Sequence, residues 1–93
     1  MLVVHPPQGT SYRRANHMKA MGYTPGTPDL LVLEEGADGA LGLAVEFKIG
    51  AHKLSPDQRV WFERAMKKRW RCGVARSTAE FQALVREHVG EAA

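Results

Sequence analysis

At 93 residues, with 44% hydrophobic side chains spread along the chain, the sequence describes one globular domain over 1–93 with a small core, not a disordered chain. Lysine and arginine (13) exceed aspartate and glutamate (10) for a formal net charge of +3, a modest excess that favours polyanionic partners. A single cysteine, Cys72, excludes an internal disulfide framework and a multi-cysteine zinc site, and no apolar run is long enough to span a bilayer.

In chain order, Leu2-Val3-Val4 reads as a short strand, broken by His5-Pro6-Pro7. The opening MLVVHPPQ has neither a basic n-region nor a long apolar h-region, so no signal peptide is read and a reducing cytoplasm is expected. Thr10 or Ser11 caps a helix to about Met21, with Tyr12, Ala15 and Met18 at helical spacing and Gly22 at its end. TPGTP (24–28) is a loop. Strands follow near 29–34 and 41–48, joined by EEGADGA, a hairpin signal. Ser55-Pro56-Asp57-Gln58 has the form N-cap, N1 proline, acidic first turn and capping-box glutamine. The helix it opens runs to about Trp70, with Trp61, Phe62, Ala65 and Met66 as its apolar stripe. Cys72-Gly73-Val74-Ala75 is a short buried strand. Ser77-x-x-Glu80 opens a last helix with Phe81, Leu84, Val85 and a partly buried His88 on one face. The expected fold is α/β with order β-α-β-β-α-β-α. Its sheet is mixed and helix-flanked, with an antiparallel hairpin and a parallel crossover between 41 and 75.

Alternation along 41–48 puts Leu41, Leu43, Val45 and Phe47 on one face and Gly42, Ala44, Glu46 and Lys48 on the other. A hairpin symmetric about Ala37-Asp38 sets Asp29 opposite Glu46. Two carboxylates at that separation repel unless a cation lies between them or one is protonated. A two-residue type I′ turn at Asp38-Gly39 instead sets Asp29 opposite Lys48, an ordinary cross-strand ion pair. Both registers keep the three groups on one face, so a divalent-metal site and a solvated ion pair both stand on spacing alone.

Residues 1–28 contain no acid but carry Arg13, Arg14 and Lys19, and a second basic group lies at Lys67, Lys68, Arg69 and Arg71. These, with Lys53 and Arg64 beside or along the Gln58 helix, are candidate nucleic-acid contacts. The cations of the second group equally suit the dipole of a helix end. Gln58 is fully explained by its place in the capping box. Trp61 and Phe62 read as core, and His5 and His17 as surface groups.

The combination Gly26-Thr27-Pro28-Asp29-Leu30, then Glu46-Phe47-Lys48 with 16 residues between Asp29 and Glu46, then Leu54-Ser55-Pro56-Asp57-Gln58 resembles the VRR-NUC domain of the PD-(D/E)XK nuclease superfamily. The likeness runs from about Val3 to Val85 and includes the lead-in MKAMGYTPGTPDLLV. It implies a restriction-endonuclease-like fold and a Mg²⁺- or Mn²⁺-dependent DNA endonuclease acting on branched, flap or junction DNA in replication, repair or phage DNA processing. Asp29, Glu46 and the Phe47 carbonyl would hold the metal. Lys48 would orient or help deprotonate the attacking water, and Gln58 would face the site. It also implies a bacterial or phage-infected cell as the setting, and a homodimer, since small members of the family are often dimeric. Many members carry a preceding helix whose glutamate joins the metal site, and no acid precedes Asp29 here. That difference implies one metal held by fewer carboxylates, a ligand supplied from elsewhere, or an impaired domain. A non-catalytic nucleic-acid-binding module on the same fold is the alternative.

Overall fold

The structure, a computed structural model, describes residues 1–6 and 25–91. The helix expected over 10–21 lies outside the described residues, as do Arg13, Arg14, His17 and Lys19. The described chain forms β1 (Val3–Val4), β2 (Leu30–Val32), β3 (Leu43–Phe47), α1 (Pro56–Lys67), β4 (Arg71–Ala75) and α2 (Thr78–Val89). The four strands lie in the order β1-β2-β3-β4. The first two pairings are antiparallel and β3–β4 is parallel, a mixed sheet with a helical crossover as the element pattern requires. No helix among the described residues is long and apolar enough to cross a membrane.

The two faces of the sheet do different work. Leu30, Val32, Leu43, Val45 and Ala75 form the buried cluster on one face, and Phe81, Leu84 and Val85 of α2 pack against it. The opposite face carries Ala44 and Glu46 and receives Phe62 and Ala65, the buried residues of α1. Small side chains on that face leave room for a polar group beneath the helix. Three apolar residues expected inside are not: Met66 is 52% exposed, Leu41 47% and Phe47 42%. Met66 lies just off the Phe62–Ala65 stripe near the end of α1, and Leu41 precedes the ladder. The α1 helix also stops three residues earlier than expected, because Arg69 takes a left-handed conformation (φ 67°). The Trp70 and Lys68 amides then close back on the Ala65 carbonyl.

The β2–β3 register pairs Leu30 with Val45, Leu31 with Ala44 and Val32 with Leu43. This is the register that sets Asp29 opposite Glu46, so the type I′ alternative is not adopted. The connecting loop is closed instead by Gly36 N–H to the Ala40 carbonyl (2.7 Å) and Gly39 N–H to the Gly36 carbonyl (3.0 Å). It is clamped from outside by Arg71, whose guanidinium bonds Asp38 and Glu87 and whose Nε donates to His88 Nδ1 (3.3 Å). His88 Nε2 donates in turn to the Glu34 carbonyl (2.6 Å), and the ring is fully buried, not partly so as its sequence position suggests. Both imidazole nitrogens are thus satisfied in the neutral tautomer. The Arg71 hydrogen bond holds the Asp38 carboxyl below its usual range.

Candidate active site

The candidate residues meet where β2 begins, β3 ends and α1 starts. Asp29 is the residue just before β2, and its Oδ2 accepts the Phe47 backbone N–H at 2.9 Å. This bond has a cause in the sequence. Continuing the ladder past Leu30–Val45 sets Phe47 opposite Pro28, which has no N–H to return to the Phe47 carbonyl. The ladder therefore ends there. The Asp29 carboxylate takes the Phe47 amide, and the Phe47 carbonyl lies on the same edge of β3 as that amide.

Glu46 is the buried acid of the pair, 5% exposed. Its Oε1 accepts from Gln58 Nε2 at 3.0 Å, whereas its buried Oε2 has no hydrogen-bond partner. Burial pushes the Glu46 carboxyl up to about 7, with the adjacent Asp29 carboxyl adding to the rise and the Lys48 ammonium opposing it. The register sets Asp29 across the ladder from Glu46, and Lys48 lies two residues further along the same face of β3.

Gln58 does both of the jobs considered for it. Its Oε1 accepts the Ser55 N–H (2.8 Å) and its own N–H donates to Ser55 Oγ (3.2 Å), a complete capping box at the start of α1. Its Nε2 is left to reach Glu46. The cap locks the rotamer that aims the amide at the acid, so local helix chemistry sets the site geometry. Gly26 allows the approach. At φ +85° it lies so close to α1 that a Cβ there would clash with the Asp57 carbonyl group. Gly26→Ala is therefore expected to lower stability by about 2–4 kcal/mol, from left-handed strain plus displacement of the helix start. Thermal unfolding measures the loss, and the Glu46–Gln58 contact should be broken.

The remaining candidates are spread over the surface. Lys53, Arg64, Lys67 and Lys68 are all exposed. Arg64 and Lys68 rim a cleft of about 590 Å³ beside α1, with Trp61 and Trp70 in its wall. Trp61 is half-buried there, whereas Phe62 is in the core at 7% exposure. Lys67 and Lys68 lie at the C-terminal end of α1, where they also complement its dipole. Sequence reasoning missed Arg71 as a structural clamp. Its signal was an arginine entering a short apolar strand, where a half-buried guanidinium needs ionic or hydrogen-bond partners. Burial pushes the Cys72 thiol up to about 11, so it is not a nucleophile near neutral pH.

The donor set suits a hard cation: a partnerless buried carboxylate oxygen, a second carboxylate across the ladder, and a carbonyl at a terminated edge. Among the described residues no cluster of three or more His, Cys, Asp or Glu groups is placed to hold a metal, so the acids number two.

Comparison with known proteins comes to one family. The VRR-NUC domain family profile matches residues 4–79. A solved chain described as a VRR_NUC domain protein superposes with a TM-score of 0.75 at 26% sequence identity, covering 95% of this chain and 67% of that one. No curated protein sequence matches.

Proposed function

The chain belongs to the VRR-NUC domain family, a nuclease-type domain, and from that premise we propose that it is a metal-dependent DNA endonuclease that hydrolyses phosphodiester bonds with preference for branched, flap or junction DNA. One observation carries the reading: the Glu46 carboxylate is buried with Oε2 unpartnered and a second acid beside it. Leaving a charged group so costs stability, and a site that gains function from the arrangement explains why it persists.

Asp29, Glu46 and the Phe47 carbonyl would hold Mg²⁺ or Mn²⁺. The ion, when bound, supplies Lewis acidity toward the scissile phosphate and a water of lowered pKa. The protein's own groups do the rest. Gln58 fixes the Glu46 carboxylate through Oε1 and leaves Oε2 for the ion. The Phe47 N–H orients Asp29 in the same way. Lys48 brings its ammonium to the face where negative charge accumulates on the phosphoryl oxygens and stabilises it there. It also orients the attacking water.

The test is incubation of the protein with labelled duplex, flap and four-way-junction DNA in Mg²⁺, Mn²⁺ or EDTA. Cleavage in both metals, strongest on a branched substrate and absent in EDTA, is expected. Metal-independent cleavage, or none on any substrate, would overturn the reading.

Contacts to phosphate from the exposed lysines and arginines make binding salt-dependent through counterion release. Neutralising Lys67 and Lys68 together is expected to reduce the slope of log affinity against log salt by about two. An unchanged slope would leave those lysines as helix-end charges only.

The working species is proposed as a homodimer, because one site cuts one strand and a two-fold dimer addresses both strands of a duplex or junction. Strand β1 is one edge of the sheet among the described residues, and beside it Met1 (60%), Leu2 (62%) and Leu33 (43%) are exposed, an apolar group suited to burial against a second copy. Light scattering at micromolar concentration is expected to give twice the monomer mass. A monomer mass with and without DNA, alongside full activity, would exclude the dimer.

A further inference from the structure

The loop leaving the candidate site holds an apolar side chain out of the protein. Ile49 directly follows Lys48 and is 85% exposed. The loop itself is tied down: Arg76 Nη1 donates to the Gly50 carbonyl (2.7 Å) and to the His52 carbonyl (2.8 Å), and the His52 N–H donates to the Ile49 carbonyl (3.2 Å). A β-branched side chain fixed in water on an anchored turn gains nothing from folding.

Ile49 is not an isolated surface residue. It lines one wall of a groove of about 510 Å³, together with Phe47, Phe81 and Ala75, and with Lys48 and Arg76 at the groove as cations. Phe47 is 42% exposed and its ring lies 5.6 Å from that of Phe81 at a 55° tilt, so an aromatic face lines the groove on the α2 side of the sheet, around the end of β3 from Glu46, with Lys48 at its border. Residues 47–56 carry Lys48, His52 and Lys53 and no acid. An apolar and aromatic groove with a cationic border matches a nucleotide, which pairs a stacking base with an anionic phosphate.

We propose that Ile49 is a wedge inserted at the base step beside the scissile phosphate, and that the Phe47–Phe81 groove receives the nucleobase it unstacks. This rests on the phosphodiesterase reading of the Asp29–Glu46–Lys48 site and deepens it. The substrate is DNA that already has, or readily opens, an unpaired nucleotide at the cut. Apolar side chains of this kind act so elsewhere, exchanging stacking for contact with the protein. Branch points and flaps present the step with that cost already met, so the wedge gives a physical basis for structure selectivity.

The test uses the wild type, Ile49→Ala and Ile49→Leu. Ile49 is exposed, so these variants should fold as the wild type does. A duplex with a paired step at the mapped cut position is compared with the same duplex carrying a mismatch there. Ile49→Ala is expected to lower kcat/KM about tenfold or more on the paired step, and by no more than about twofold on the mismatched one, with Ile49→Leu restoring most of the loss. Equal losses on both substrates, or no loss, would overturn the wedge. In a separate binding assay in EDTA, 2-aminopurine is scanned along the three nucleotides on each side of the branch. Brightening with wild type but not with Ile49→Ala supports unstacking, and no brightening with either contradicts it. If brightening occurs but no DNA is cut in Mg²⁺ or Mn²⁺, the nuclease reading fails while the base-receiving groove stands.

Discussion

Glu46→Gln is expected to raise the stability of the metal-free protein while abolishing cleavage. In the wild type the Glu46 carboxylate is buried, one oxygen has no partner, and Asp29 stands beside it. Glutamine keeps the shape and the bond from Gln58, removes the charge, and offers an N–H₂ to the Asp29 carboxylate. Relief of a buried, unpaired charged oxygen is worth about 1–3 kcal/mol, or on the order of 5–15 °C in melting temperature for a domain of this size. The sign of the pH dependence follows from the upward shift of the carboxyl, from an ordinary 4.5 to about 7. Folding favours the protonated acid, so the Glu46 contribution to stability is fully present below the ordinary glutamate range and is lost as pH rises through about 7. The gain from glutamine is therefore greatest near pH 8 and vanishes near pH 4, which thermal melts in EDTA across that range would read. Metal binding has the opposite dependence, because the ion takes the ionised acid: wild-type affinity should fall about tenfold per pH unit below 7. Cleavage by the variant should drop by about 10³-fold or more, since a proposed metal ligand is removed. A variant that melts lower than wild type at pH 8, or cuts at an undiminished rate, would remove Glu46 from the metal site.

Lys48→Ala is expected to separate metal binding from chemistry. Its ammonium favours the ionised Glu46 carboxyl but also repels a cation held there, so its removal should change ion binding little. It should remove the charge that stabilises the developing phosphoryl negative charge, a loss of about 10²–10³-fold in kcat. Single-turnover cleavage at saturating Mn²⁺, paired with binding calorimetry, distinguishes the two effects. Undiminished cleavage would remove Lys48 from the catalytic role.

The shared sheet face was legible in the sequence, because side-chain alternation needs only a strand and survives any even shift of register. The register itself was not. Asp38-Gly39 carries a local hairpin signal, yet the turn built there is overruled by Arg71 and His88, which reach the loop from β4 and α2. Contacts so distant in sequence leave no trace in a local pattern. Gln58 was legible as two alternatives because capping chemistry and site chemistry use the same residue type. The structure resolves them by using opposite ends of one amide. Pro28 shows a third case. The proline reads as loop punctuation, and its part in ending the ladder beside the Phe47 carbonyl becomes visible only once the pairing is known.

Titration of Mn²⁺ into wild type and Asp29→Asn at pH 8, followed by calorimetry, decides whether Asp29 and Glu46 hold an ion. A saturable heat of about one ion per chain is expected in the wild type, from a site with two carboxylates and a carbonyl. The heat should be lost in Asp29→Asn although the variant remains folded. Equal heats in the two proteins, or no saturable heat in either, would mean that the acids opposed across β2 and β3 are not a metal site.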